Sequence, residues 1–177
     1  MKVAFDIASY PLIRNNDLFY PGIASLLAII RCGGSAIIFN SEGSTTGMEM
    51  KLIKKLIREI KTSVLMITHD LGVMAETCDR VAIMYAGDMV EMGSVRRVLK
   101  DPQHPYTQGL LQTVPDKSNP DQPLFSIKGN VPSLLDPQTN CRFAPRCESV
   151  MDRCRQELPP LYQLNGDHQA ACFLHDT

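Results

Sequence analysis

A nearly unbroken apolar run at residues 63–68, SVLMIT, constrains the fold more than any other stretch of the sequence. A strand that is apolar on both faces is typical of a parallel sheet covered by helices on both sides. Helical patterning flanks the run: apolar residues recur every three or four positions over residues 48–61, and a short helix is predicted over residues 71–78. We therefore predict an α/β fold with this strand inside the sheet.

The preceding segment predicts two more strands, over residues 2–8 and 35–39. Pro21 suits the first position of a helix that we expect to connect them and to end at Arg31, before two glycines. Two strands and a connecting helix form a plausible βαβ unit.

The segment after residue 78 predicts a hairpin, because two apolar runs flank Ala86-Gly87. Ser94 is expected to cap a helix that continues through Lys100. Another short helix, bracketed by prolines, follows within residues 101–115.

Prolines concentrate from residue 102 onward, and regular patterning fades after Pro115. We divide the chain into residues 1–44, a βαβ-like segment; 45–115, a continuing α/β part; and 116–177, a linker with a small cysteine-rich appendage.

Bulk properties narrow the function classes. The net charge of -1 gives no sign of a nucleic-acid partner. The longest apolar run, residues 22–30, is shorter than the roughly 20 residues that span a bilayer. Asp6 interrupts any secretory leader. We expect a reducing cytoplasmic environment, in which stable disulfides are rare.

Four of the six cysteines lie near the C-terminus: Cys141, Cys147, Cys154 and Cys172. Their wide, irregular spacing differs from the close pairs of most zinc sites and suits a 4Fe–4S cluster, whose ligands are spread over several irons. Zinc, with His168 or His175 as a substitute ligand, remains open, and so do thiols that bind no metal. Cys32 and Cys78 lie in apolar contexts that favour core packing.

His69 directly follows the run at 63–68 and is therefore expected at the carboxyl end of the sheet, where open α/β folds bind ligands. Its imidazole can hydrogen-bond a phosphate oxygen or an attacking water. The alternative is a histidine that merely caps the next helix.

The stretch from about Lys61 to Asp176 resembles the C-terminal part of the ATP-binding subunit of bacterial oligopeptide/dipeptide ABC importers. The resemblance is carried by THDLGVMAE, CDRVAIMYAGDMVEMG and HPYTQGLL, and by the cysteine pattern CRFAPRC. It implies a partial ABC-ATPase (P-loop NTPase-like) sheet, with His69 as the switch histidine at the γ-phosphate of ATP. It also implies that the four C-terminal cysteines hold a 4Fe–4S cluster.

By the same resemblance, the partners are a second ABC ATPase subunit, two transmembrane permease subunits and, indirectly, a peptide-binding protein. The location would be peripheral, on the cytoplasmic face of the cell membrane. The alternative is a non-catalytic, metal- or cluster-bearing regulatory or assembly module derived from such a subunit.

The sequence departs from that family upstream. It contains no phosphate-binding motif G-x-x-x-x-G-K-S/T and no LSGGQ motif. Glu42 is one residue out of register with the family's catalytic glutamate and is only a remote candidate for the base; Asn40 or Ser41 stands where the Mg²⁺-binding aspartate belongs. We therefore expect a truncated or degenerate subunit that does not hydrolyse ATP efficiently by itself.

Overall fold

The computed structural model describes residues 63–114, 125–133 and 139–176, the helical residues Lys51, Lys54, Lys55 and Glu59, and the backbone of two N-terminal strands. The predicted helix over 21–31 and the loop that contains Glu42 lie outside these residues, as does Cys32.

Seven strands of the described part of the chain form one mixed sheet. They are β1 (Lys2–Asp6), β2 (Ala36–Asn40), β3 (Ser63–Ile67), β4 (Arg80–Tyr85), β5 (Asp88–Ser94), β6 (Tyr162–Gln163) and β7 (Gln169–Ala170). The strand order is β2-β3-β1-β4-β5-β7-β6. The first four strands pair in parallel, and the last three join by antiparallel pairing. The predicted α/β class is confirmed.

The apolar run at 63–68 forms β3, and β3 lies between β2 and β1 in the sheet. Val64, Leu65 and Met66 are buried, which agrees with a strand covered on both faces. The two N-terminal strands are parallel members of the same sheet, as a βαβ unit requires, but β3 separates them.

In the described residues after β3 there are three helices: α1 (Leu71–Thr77), α2 (Val95–Lys100) and α3 (Pro105–Gln112). Each lies where the sequence predicts a helix. Ser94 occupies the N-cap of α2, although its hydroxyl makes no capping hydrogen bond. Within residues 139–176, short 3-10 helices lie at Ala144–Arg146, Asp152–Arg155 and Phe173–His175.

The β4–β5 hairpin has the predicted two-residue turn. Ala86 and Gly87 both have positive φ values, 49° and 94°, as a type I′ turn requires. The positive φ at Ala86 is sterically unfavourable for alanine, and a glycine would adopt it without strain. The turn is tight enough to bring Tyr85 opposite Asp88 in the ladder.

One hydrophobic cluster connects the sheet, the helices and the cysteine-bearing region. Met74 of α1, Ile83 of β4 and Val98 of α2 are completely buried in it. Phe143, which lies between two of the cysteines, belongs to the same cluster. The C-terminal residues therefore pack on the core formed by the α/β part.

Helices in the described part of the chain include none that is long and apolar enough to cross a membrane.

Candidate functional site

His69 lies in a bend two residues beyond the end of β3, with its side chain exposed. The residues on either side fix the backbone of this bend. Thr68 is buried, and its Oγ1 accepts a hydrogen bond from the Asp70 amide at 3.1 Å. The imidazole is therefore presented on a short, anchored segment.

Asp70, and not His69, caps α1. Its Oδ1 accepts hydrogen bonds from the amides of Gly72 at 2.8 Å and Val73 at 3.0 Å. These contacts satisfy two of the amides that the first turn of a helix leaves without partners. The alternative in which His69 serves as the helix cap is wrong, because Asp70 already occupies that position.

The strand register shows where this bend lies in the sheet. Ile67, the last residue of β3, pairs with Phe5 of β1 on one side and with Asn40 of β2 on the other. The three parallel strands therefore end at the same level, and His69 follows just beyond their carboxyl ends. This is the edge at which ligands of open α/β sheets bind.

The four predicted cysteine ligands are all described. Cys154 and Cys172 are buried, whereas Cys141 and Cys147 are half-buried. The Cys141 amide donates a hydrogen bond to the Cys154 carbonyl at 3.0 Å, which joins two of the segments directly. No disulfide joins the cysteines of the described residues.

Electrostatics indicates that the four thiols are neighbours. Burial, together with the proximity of the other three cysteines, raises the pKa of Cys172 to about 11. The pKa of Cys141 is raised mainly by burial and also by Cys154. That of Cys147 is raised by burial, with contributions from Cys141 and Cys154. Cys141, Cys147 and Cys172 are therefore held as neutral thiols near neutral pH.

The described side chains do not come together as a metal-binding group. Within residues 63–114, 125–133 and 139–176, no group of three or more His, Cys, Asp or Glu side chains is placed to hold a metal ion. Tetrahedral zinc with bonds of about 2.3 Å needs its ligands in mutual contact. His168 and His175 are engaged elsewhere, with Glu91 at 2.7 Å and with the Gln103 carbonyl at 3.1 Å. The geometry of the described residues therefore supports neither the predicted 4Fe–4S cluster nor the zinc alternative with histidine ligands.

Two arginines next to the cysteines anchor the C-terminal region to the sheet. The Arg142 Nε lies 2.8 Å from Asp88 Oδ2, and its guanidinium also donates to the Ala86 carbonyl in the hairpin turn. Arg146 donates to the Lys128 carbonyl at 2.8 Å and the Ile127 carbonyl at 2.7 Å.

A cluster of aromatic rings reinforces this anchor. Phe143 packs against Tyr85 at 5.2 Å, Tyr106 at 5.5 Å and His104 at 5.8 Å between ring centroids. Tyr85 also accepts a hydrogen bond from Arg146 Nη1 at 3.2 Å. Since these rings come from β4, α3 and the cysteine-bearing region, they connect all three.

One buried group was not found by sequence reasoning. Glu91 is completely buried and accepts hydrogen bonds from the amides of Gln103 and His104, while His168 contacts the same carboxylate. In the sequence, Glu91 is one polar residue in a hairpin strand, which normally indicates a solvent-facing position. No local signal distinguishes it.

Comparisons with known proteins agree with the resemblance. A family described as "Oligopeptide/dipeptide transporter, C-terminal region" matches residues 90–154. The dipeptide transport ATP-binding protein DppD of Caldanaerobacter subterraneus is 39% identical over 127 residues, which cover 72% of this chain and 39% of that protein. The oligopeptide transport ATP-binding protein OppD of Salmonella typhimurium is 44% identical over 124 residues, 70% of this chain and 37% of that protein. The resemblance to the ATP-binding subunits of peptide importers is confirmed.

A third relative extends the similarity upstream. The probable peptide ABC transporter ATP-binding protein y4tR of Sinorhizobium fredii is 40% identical over 158 residues, covering 85% of this chain and 47% of that protein. Residues 45–177 are 133 of 177 residues, or 75% of the chain. The alignment therefore includes part of residues 1–44, where sequence reasoning found no match. The chain spans less than half the length of these relatives.

Proposed function

We propose that this chain acts as part of an ATP-binding subunit of a peptide importer, with His69 as the residue that contacts the γ-phosphate of ATP. The observation that carries the proposal is the position of His69, exposed on an anchored bend at the carboxyl edge of the parallel strands. An imidazole there can hydrogen-bond a phosphate oxygen or orient the attacking water. Phosphoryl transfer depends on such positioning and electrostatic contacts.

The loop that binds the ATP phosphates must be supplied from outside this sequence, because the sequence contains no G-x-x-x-x-G-K-S/T motif. We propose that ATP and Mg²⁺ bind in an assembly with a second ABC ATPase subunit and two permease subunits. A peptide-binding protein would deliver substrate to the permeases. The assembly would place this chain on the cytoplasmic face of the cell membrane, and Glu42 stays a candidate base.

Two measurements test the proposal. The purified chain should not turn over Mg-ATP above background. Co-expressed with the permeases and second ATPase of a peptide importer, the tagged chain should co-purify with them. His69→Ala should preserve that assembly and reduce its ATPase activity by about 10²-fold or more, the scale of one positioned catalytic group. Gln108→Ala, an exposed change on α3, is the matched control.

The proposal fails if the chain does not enter the assembly, or if His69→Ala leaves the assembly's ATPase activity at the level of the control. Turnover by the isolated chain that His69→Ala abolishes would also contradict it, because the phosphate-binding residues would then have to lie within this sequence.

We also propose that residues 116–177 form an extension in which Cys141, Cys147, Cys154 and Cys172 hold a 4Fe–4S cluster. Support comes from the wide spacing of the four cysteines and from the resemblance to the peptide-importer subunits; the described residues themselves contain no grouping placed to hold a metal ion. A four-iron cluster distributes its thiolate ligands over separate irons, so the sulfurs lie further apart than around zinc. The bound cluster would cross-link segments that otherwise contain little regular structure.

Iron and acid-labile sulfide should be bound at about four of each per chain after anaerobic purification, and Cys154→Ser should reduce both. Zinc alone, in aerobic and anaerobic preparations alike, would refute the cluster.

A further inference from the structure

A completely buried carboxylate lies where the hairpin, the turn before α3 and the C-terminal region meet. Glu91 Oε1 accepts a hydrogen bond from the Gln103 amide at 2.8 Å, and Oε2 accepts one from the His104 amide at 2.9 Å. His168 Nε2 lies 2.7 Å from Oε1, and both side chains are almost inaccessible to solvent. A buried carboxylate is stable only when hydrogen bonds replace its lost hydration.

The two kinds of contact have different consequences. The amides of Gln103 and His104 lie only 12 and 13 residues from Glu91 in the sequence. Their hydrogen bonds therefore join β5 to the nearby turn before α3. His168 is 77 residues away. Its imidazole is the buried contact by which the C-terminal region binds this carboxylate.

The other contacts of residues 162–172 are few or lie near the surface; among them, the Arg97 guanidinium of α2 donates to the Asn165 carbonyl. β7 pairs with β5 through two residue pairs, and the Ala171 amide adds a hydrogen bond to the Val90 carbonyl at 2.8 Å. So short a strand is not stable alone. Asp167 lies 3.6 Å from Arg80 and 4.0 Å from Arg97, but these groups are partly exposed, and exposed ion pairs contribute little.

We propose that Glu91 and His168 form a latch that holds residues 162–172 on the sheet and so controls access to the Cys172 thiol. Cys172 follows β7 by two residues and is buried. Opening the latch releases β7 and separates this thiol from Cys141, Cys147 and Cys154. Only one part of this proposal rests on the proposed function, namely the role of Cys172 as a cluster ligand. The docking itself depends on hydrogen bonds within the chain.

Three variants test the latch. His168→Leu removes the N–H donor but keeps an apolar side chain of similar size. His168→Gln retains a donor near the position of Nε2. Gln169→Ala is the matched control, because it changes the neighbouring residue of β7, whose side chain bonds Gln163 at the surface.

The measurement is alkylation of each cysteine by iodoacetamide, read by mass spectrometry on the full chain after treatment with chelator and reductant. Cys78, which lies against the core beside α1, is the internal reference. His168→Leu should speed the alkylation of Cys172 relative to Cys78 by about tenfold, the effect of losing one hydrogen bond to a charged group. His168→Gln and Gln169→Ala should stay within about twofold of the unmodified chain.

Hydrogen exchange of the β4 amides shows whether the opening is local. β4 should keep its protection in His168→Leu while the amides of residues 169–171 lose theirs. The latch is refuted if His168→Leu alkylates no faster than Gln169→Ala, if His168→Gln is as fast as His168→Leu, or if β4 opens together with β7. Absence of iron from the untreated chain would refute the cluster and not the latch, since alkylation is measured on metal-free thiols.

Discussion

His104 should make the folded protein sensitive to mild acid. Its side chain is 2% exposed, and Nδ1 accepts a hydrogen bond from the Tyr106 amide at 3.0 Å as the N-cap of α3. A protonated imidazole has no lone pair with which to accept this bond. Burial, together with the charge of His175, lowers the pKa of His104 from 6.5 to about 3.

The sign of the effect follows from proton linkage. Between pH 6.5 and 3 the unfolded chain carries a proton on this histidine and the folded chain does not, so acid favours unfolding. The stability that the neutral imidazole contributes is complete above pH 6.5 and is lost progressively as the pH falls towards 3. One pKa unit corresponds to about 1.4 kcal/mol, so acidification from pH 7 to 5 should reduce the free energy of unfolding by about 2 kcal/mol through this group alone.

Denaturant unfolding at a series of pH values measures this loss, and His104→Asn isolates it. Asparagine is a favourable N-cap and does not titrate. Carboxylates elsewhere contribute equally to both proteins, so the difference between their pH profiles reports His104. Between pH 5 and 6 the profile of the unmodified chain should be steeper by about 1.4 kcal/mol per pH unit. Parallel profiles would refute the argument that the imidazole is neutral in the fold.

Three further substitutions test particular contacts by the same unfolding measurement. Asp70→Ala removes the cap of α1 and should cost about 1 kcal/mol, whereas Asp70→Asn should retain most of the stability; equal losses would contradict the capping role. Thr107→Val should raise the free energy of unfolding by about 1–3 kcal/mol, because the buried Thr107 hydroxyl has no hydrogen-bond partner among the described residues; a loss would show that the hydroxyl is satisfied. Phe143→Ala should cost about 3–5 kcal/mol and expose the cysteines to alkylation together, and a change below about 1 kcal/mol would separate the aromatic cluster from the core.

Local signals predicted the elements whose patterns are complete within a few residues. The apolar run at 63–68 contains enough information to place β3, and Ala86-Gly87 marks the hairpin because the turn type follows from two residues. The position of His69 at the sheet edge followed directly from that strand. The resemblance to peptide importers supplied the candidate role, which no periodicity can indicate.

Long-range contacts could not be predicted in this way. β6 and β7 contain two residues each, too few for a periodic signal. β7 pairs with the edge of β5, and β6 pairs in turn with β7. The burial of Glu91 depends on His168, at a sequence separation of 77 residues. The hydropathy of a glutamate alone predicts an exposed side chain. Only His69 was considered as a cap of α1 from the sequence, whereas the Asp70 carboxylate accepts hydrogen bonds from two first-turn amides.

The contacts of Phe143 and Arg146 have a thermodynamic consequence for any cluster bound by the cysteines. Both residues lie between or beside cysteines, and both contact Tyr85 at the end of β4. A ligand that binds only the folded state raises the free energy of unfolding by RT ln(1 + [L]/Kd). Since the cysteine-bearing region shares its core with the sheet, a cluster that orders this region also stabilises the aromatic contacts at the end of β4. The same coupling acts in reverse, because loss of the sheet contacts weakens cluster binding.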